Sequence, residues 1–159
     1  MKKGLCCCFS GHRNLPKAQT DVIRKTLRDV LDKLIEDGYI AFISGGALGF
    51  DMLAAEIVLE KMQKFPFIRL VMALPCKNQS AKWESADKKL YNNILNRASE
   101  VIYVCENYCT GCMHLRNKFM VENSDLCVMY KTQSRGGTAY TAERAKEKGI
   151  SIINIADLL

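Results

Sequence analysis

Short, nearly continuous apolar runs alternate along this chain with longer stretches in which apolar residues return every three or four positions. The first rhythm is that of strands covered on both faces, and the second is that of amphipathic helices. Leu5 to Phe9 reads as a first strand. Pro16 to Asp37 reads as a helix with Ile23, Leu27, Val30, Leu31, Leu34 and Ile35 on one face, Pro16 in its first turn and Gly38 as its stop. Tyr39 to Ile43 is a strand, and Phe50 to Lys64 a helix that turns Met52, Leu53, Ile57 and Val58 inward. Ile68 to Leu74 is an almost wholly apolar strand, followed by a helix over Ala81 to Arg97 and a strand over Val101 to Cys105. Cys112 to Asn123 reads as helix, Leu126 to Tyr130 as strand, Thr138 to Lys148 as helix ended by Gly149, and Ile150 to Ile155 as a closing strand. Strict alternation of this kind predicts one α/β domain over residues 1–159, a doubly wound, mainly parallel sheet with helices on both faces.

In such a sheet the loops at the C-terminal ends of the strands carry function. Here they hold nearly every unusual polar or glycine cluster. Two of these clusters stand out, each after a strand and before a helix: Ser44-Gly45-Gly46-Ala47-Leu48-Gly49-Phe50-Asp51 and Ser134-Arg135-Gly136-Gly137-Thr138-Ala139-Tyr140-Thr141. Glycines let backbone approach a ligand, and a helix N-terminus offers free amides and a positive dipole end to phosphate. The first cluster is neither the G-x-G-x-x-G dinucleotide pattern nor a P-loop. Gly45, Gly46 and Gly49 are expected to hold one phosphate region, with Ser44 beside them, and Gly136, Gly137 and Thr138 another part of the ligand. Asp51 and Thr141 are expected to contact ribose or to cap helices, and N-capping alone would account for Thr138. Ser10-Gly11-His12-Arg13 follows the first strand; Arg13 can pair with phosphate bidentately, Ser10 can donate a hydrogen bond, and His12 either titrates near neutrality or fixes backbone. Arg116 and Asn117 open a later helix, with Arg116 a second neutralising charge. Trp83, grouped with Gln79 and Tyr91, either stacks on a base or anchors a helix.

Composition narrows the class. With 159 residues, 48% hydrophobic and 25% charged, the chain reads as soluble and globular, and no apolar run reaches the length of a membrane span. Lys2-Lys3 before the Leu5–Phe9 run mimics a signal peptide, but Ser10-Gly11-His12-Arg13 cuts the apolar stretch short, so a cytoplasmic protein is expected. The net charge of +6 permits anionic ligands, yet bases and acids are interspersed, as on an ordinary mixed surface. Eight cysteines do not form a secreted disulfide pattern; Cys6 to Cys8, Cys76 and Cys127 lie beside strand runs and read as small buried hydrophobes. The spacing Cys105-x3-Cys109-x2-Cys112 matches an iron–sulfur triad, but Cys105 completes a strand and only His114 offers a fourth ligand, so no metal is assigned. An oxidisable thiol at Cys109 or Cys112 is the better expectation.

Taken together, Phe9-Ser10-Gly11-His12-Arg13, Ser44 to Asp51, Gly111-Cys112-Met113, Arg116-Asn117-Lys118-Phe119-Met120-Val121 and Gly136 to Thr141 resemble the SLOG superfamily, most closely its YpsA-like branch, in order over nearly the whole chain. The resemblance implies a Rossmann-like fold and binding or sensing of a nucleotide or nucleotide-derived phosphorylated ligand at the glycine turns, in a regulatory role, with no required cofactor. A second reading comes from LOG phosphoribohydrolases, which cleave the base from nucleoside monophosphates. Arg116-x3-Met120-x3-Ser124-Asp125 fits the first half of their pattern, but Thr141 stands at the position of their catalytic glutamate, so His12, Asp51 or Glu56 would have to supply an acid or base. A third reading, single-stranded DNA binding, is implied by the similar glycine turn of DNA-processing proteins; it would need a basic groove with aromatic platforms. Apolar helix surface left over leaves room for a homo-oligomer. No membrane partner is expected.

Overall fold

A computed structural model describes residues 4–159; Lys2 and Lys3, which mimic a signal start, lie outside them. Six parallel strands form one sheet in the order β4-β3-β2-β1-β5-β6: β1 (Leu5–Gly11), β2 (Tyr39–Ser44), β3 (Arg69–Leu74), β4 (Glu100–Tyr103), β5 (Leu126–Tyr130) and β6 (Ser151–Asn154). Between them run α1 (Thr20–Glu36), α2 (Phe50–Lys64), α3 (Ser85–Arg97), α4 (Cys112–Glu122) and α5 (Gly137–Lys148). This is the Rossmann-like doubly wound arrangement. No helix of the described residues is long and apolar enough to cross a membrane.

The two faces of the sheet carry different cores. Alternation along β1 sends Cys7 and Phe9 to the face covered by α1, α2 and α3, where they join Ile23, Leu27, Phe42, Ile57 and Met72. Cys6 and Cys8 go to the other face with Met120 and Val121 of α4 and Ala142 and Ala145 of α5. The strand cysteines are thus buried packing residues. Lys148 near the end of α5 donates to the carbonyls of Val121, Glu122 and Ser124 at 3.1, 2.6 and 3.0 Å, satisfying the exposed end of α4 and fixing the two helices together.

Several boundaries differ from expectation for local reasons. Pro16 is extended, at φ −60° and ψ 123°, and starts a short 3-10 turn, so α1 begins at Thr20. The segment from Ala81 is a pair of turns, closed by Ala81 N–H to Asn78 O and Trp83 N–H to Ser80 O, and α3 begins only at Ser85. β4 ends at Tyr103, which leaves Cys105 in the following loop rather than in the strand. β6 ends at Asn154, whose side chain accepts from the amides of Lys131 (3.0 Å) and Ala156 (3.2 Å) and donates to Lys131 O (2.9 Å). This one amide ties the loop after β5 to the end of the sheet. Asn154→Ala is expected to cost about 1–2 kcal/mol, read as a lower denaturation midpoint at unchanged slope.

The chain reverses direction across the sheet between β1 and β5. β1 leads through α1 to one side and β5 leads through α5 to the other, so the loops after these two strands part and leave a crevice at their C-terminal ends.

Candidate functional site

A cavity of about 420 Å³ occupies that crevice. Its walls come from the end of β1 (Ser10, Gly11, His12, Arg13), the start of α2 (Ala47, Asp51), the turn before α3 (Gln79, Trp83), the first turns of α4 (Met113, His114, Arg116, Asn117) and the loop into α5 (Gln133, Arg135, Gly136, Gly137, Thr138). Five segments far apart in sequence converge because each follows a parallel strand.

The second glycine cluster lies open on this wall. Gly136 takes φ +97° and ψ −171°, and the first intrahelical bond of α5 is Tyr140 N–H to Gly136 O at 3.0 Å. The amides of Gly137, Thr138 and Ala139 precede that bond, so the helix itself cannot satisfy them. Thr138 lies within the helix without capping it, and Thr141 turns inward, its hydroxyl donating to Gly137 O at 2.9 Å. Thr141 therefore does not line the cavity.

The first cluster is built differently. Its glycines make room for other protein groups, and Ser44, Gly45, Gly46 and Gly49 do not line the cavity. A Cβ on Gly45 would lie 2.7 Å from Nη1 of Arg116 and 2.9 Å from Oδ2 of Asp51. Gly49, at φ +87°, packs against the backbone carbonyls of His12 and Arg13, and the Phe50 amide donates to His12 O at 3.1 Å. Ser44 holds the turn by donating to Asp51 O (2.8 Å) and accepting from Gly46 N–H (3.2 Å). The glycine turn with free amides open to the cavity is thus the one at α5, and the first turn delivers Asp51.

Asp51 does not cap α2, whose N-cap is Gly49 with no side-chain bond. It is only 6% exposed, lines the cavity, and its Oδ1 is buried with no hydrogen-bond partner. Burial pushes its carboxyl up to about 6, against the opposing pull of the Arg116 charge, the nearby amides of Ala47 and Gly11, and Arg13. Arg116 is 4% exposed. Its guanidinium donates to Gly45 O, to Asn117 Oδ1 (2.7 Å) and, more weakly, to Met113 Sδ (3.8 Å). Burial lowers its pKa, and the Asp51 carboxylate partly restores it. A buried acid with an unpaired oxygen, facing a cavity beside a buried guanidinium, suits a ligand hydroxyl or a proton-transfer step.

His12 fixes backbone: its Nε2 accepts from Thr132 N–H at 2.8 Å, which places any ring proton on Nδ1. Burial lowers its pKa, with Lys131 adding to the effect. Arg13 is exposed at the mouth. Glu56 pairs with Arg24 at 3.6 Å and is not part of the wall. Trp83 meets the edge of Tyr91 at 5.0 Å, with Gln79 donating to the Tyr91 hydroxyl at 3.1 Å, and it separates the cavity from a second one of about 860 Å³. The two share Arg13, Gln79, Trp83 and Met113. Sequence reasoning missed Arg135, although it stands inside the second glycine cluster, and Gln133, which carries no signal of its own. It also missed the stack of His114 on Tyr140 at 4.1 Å, capped by Arg144. Among the described residues no group of three or more His, Cys, Asp or Glu is arranged to hold a metal ion.

Comparison with known proteins places this geometry among relatives. The family model described as the YspA SLOG family matches residues 9–157. The UPF0398 protein of Halalkalibacterium halodurans is 33% identical over 129 residues, 79% of this chain and 68% of that protein. A UPF0398 protein of Bacillus thuringiensis (strain Al Hakam) is 32% identical over 132 residues, 81% of this chain and 72% of its own. Among solved structures, DNA processing protein A of Streptococcus pneumoniae superposes with a TM-score of 0.68 at 18% identity, over 94% of this chain and half of that one. The Helicobacter pylori protein, solved for its single-stranded DNA binding mode, gives 0.67 at 20% identity, over 93% of this chain and 63% of its own. At these identities the likeness is one of fold.

Proposed function

Because the chain belongs to the YspA SLOG family, we propose that it binds a nucleotide or nucleotide-derived phosphorylated small molecule in the crevice between β1 and β5, in a regulatory or sensing role and with no further cofactor. The observation that carries this reading is the convergence on one cavity of an open helix N-terminus and a buried carboxylate with one oxygen left without a hydrogen-bond partner. Phosphate takes the amides of Gly137 and Thr138, with Arg135 and Arg13 neutralising its charge from the rim. Asp51 accepts from a ribose hydroxyl, and Asn117 and Ser10 supply further polar contacts. Trp83 borders the base. The volume suits a mononucleotide, and the adjoining second cavity gives a longer ligand somewhere to extend.

A thermal-shift series with nucleoside monophosphates, diphosphates, NAD and ADP-ribose tests it. A ligand at a hundred times its Kd adds about 2.7 kcal/mol, a rise of roughly 5–10 °C for a chain of this size. No rise with any of them at millimolar concentration overturns the reading.

One observation favours a second reading, cleavage of an N-glycosidic bond. The carboxyl of Asp51, held near 6, is matched to acid–base work at neutral pH. Release of free base from a nucleoside monophosphate, abolished by Asp51→Asn, would establish it. A salt-dependent shift of single-stranded DNA in place of nucleotide binding would instead align this chain with its Helicobacter structural neighbour.

A further inference from the structure

Four cysteines gather where the loops after β3 and β4 meet: Cys76, Cys105, Cys109 and Cys112. Their exposure divides them. Cys76 and Cys112 are 1% and 0% exposed. Cys105 is half-buried and Cys109 is exposed. The Sγ atoms of Cys105 and Cys109 lie 3.0 Å apart, about 1 Å from disulfide bonding distance. The backbone around them is held in place. Cys105 N–H donates to Pro75 O at 3.0 Å, Cys112 N–H donates to Cys109 O at 3.1 Å, and Lys77 grips Glu106 through both its amide (3.2 Å) and its ammonium (2.7 Å). The two sulfurs therefore face each other across a short, pinned loop that solvent reaches from the Cys109 side. The CxxxCxxC spacing thus resolves into one accessible pair and one buried thiol.

From this juxtaposition we propose that Cys105 and Cys109 are a reversible dithiol–disulfide site that takes low-molecular-weight disulfides such as oxidised glutathione as oxidant. One sulfur, as its thiolate, attacks a sulfur of the oxidant and expels one small thiolate, forming a mixed disulfide. The second sulfur, losing its proton to solvent, attacks the protein sulfur of that bond and expels the other small thiolate. Both leaving thiolates take up the two protons given up by the cysteines. The protein dithiol is oxidised by two electrons, and one oxidant disulfide is reduced to two thiols. A bond closing so short and exposed a loop adds little to fold stability, which suits exchange rather than a structural staple. The ring encloses Tyr108, which lines the second cavity, so oxidation constrains one wall of that cavity.

The test uses the full chain, reduced, then exposed to oxidised glutathione, quenched with an alkylating agent and digested with trypsin and a glutamate-specific protease. Cleavage after Glu106 separates Cys105 from Cys109, so only a disulfide keeps the two fragments together. The expected product is that cross-linked pair, with Cys76 and Cys112 alkylated only after denaturation, and with reversal by dithiothreitol. Cys105→Ser is expected to stop at a glutathione adduct on Cys109, and Cys109→Ser at an adduct on Cys105. A wild-type chain that accumulates the mixed disulfide, that joins Cys109 to Cys112 instead, or that keeps both thiols free overturns the proposal. None of these readouts depends on the ligand of the crevice.

Discussion

Asp51→Asn is expected to yield a protein that is more stable at neutral pH and that binds the proposed nucleotide ligand more weakly. Burial raises the folded carboxyl to about 6, against roughly 4 in an unfolded chain. The folded state thus binds this proton more tightly than the unfolded state does. Below about pH 4 both states are protonated and the site carries no penalty. Between about 4 and 6 stability falls because the unfolded group ionises while the folded one still holds its proton, and above 6 the full penalty remains. Two units correspond to about 2–3 kcal/mol. Asparagine removes the charge while keeping the shape, so chemical denaturation at pH 7 should show a gain of that order, shrinking towards zero at pH 4. Nucleotide affinity should fall about ten- to a hundredfold with the loss of a charged acceptor. A variant no more stable than the parent at pH 7 would mean that Asp51 is paired in solution.

A site held at a stability cost is hard to read from a sequence. The strands and helices were legible because burial on both faces of a parallel sheet writes continuous apolar runs, and because Gly38 and Gly149 mark helix ends. β5 and α2 have the expected bounds, and Cys6 to Cys8 pack as small hydrophobes on alternate faces. The loops to be gathered were legible too, since parallel topology places them all on one edge. What each glycine does there was not. Gly45 and Gly137 sit in similar local patterns, yet the first accommodates Arg116 and Asp51 while the second borders open space. That difference is set in large part by Arg116, 71 positions away in the chain. Asp51 looked like a helix-start acid, and only its surroundings make it a buried carboxylate with one oxygen left without a hydrogen-bond partner. Cys105 looked like a strand residue because the apolar run Val101 to Val104 continues into it, although the paired ladder with β3 ends at Leu74 and Tyr103.

Arg116→Ala should be the most damaging single change at the site, costing about 3 kcal/mol or more. The guanidinium is buried, and its truncation leaves Gly45 O and Asn117 Oδ1 without their donor and opens a void beneath the cavity floor. It also removes the largest influence opposing the burial of Asp51, so the carboxyl's pKa rises further. Arg116→Met keeps much of the volume and separates these effects: packing is largely restored, while the shift on Asp51 persists. The two sites should then be coupled. In the Asp51→Asn background Arg116 has no carboxylate to attract it, and Arg116→Ala should cost less than in the parent by about 1 kcal/mol. Denaturation of the four members of this cycle at pH 7 measures that difference. Costs that add within about 0.5 kcal/mol would refute an electrostatic link and reduce Arg116 to a plug over Gly45. The expected coupling would instead mark Asp51 and Arg116 as one charged unit, in which a ligand that pairs with the acid is felt by the base on the neighbouring helix.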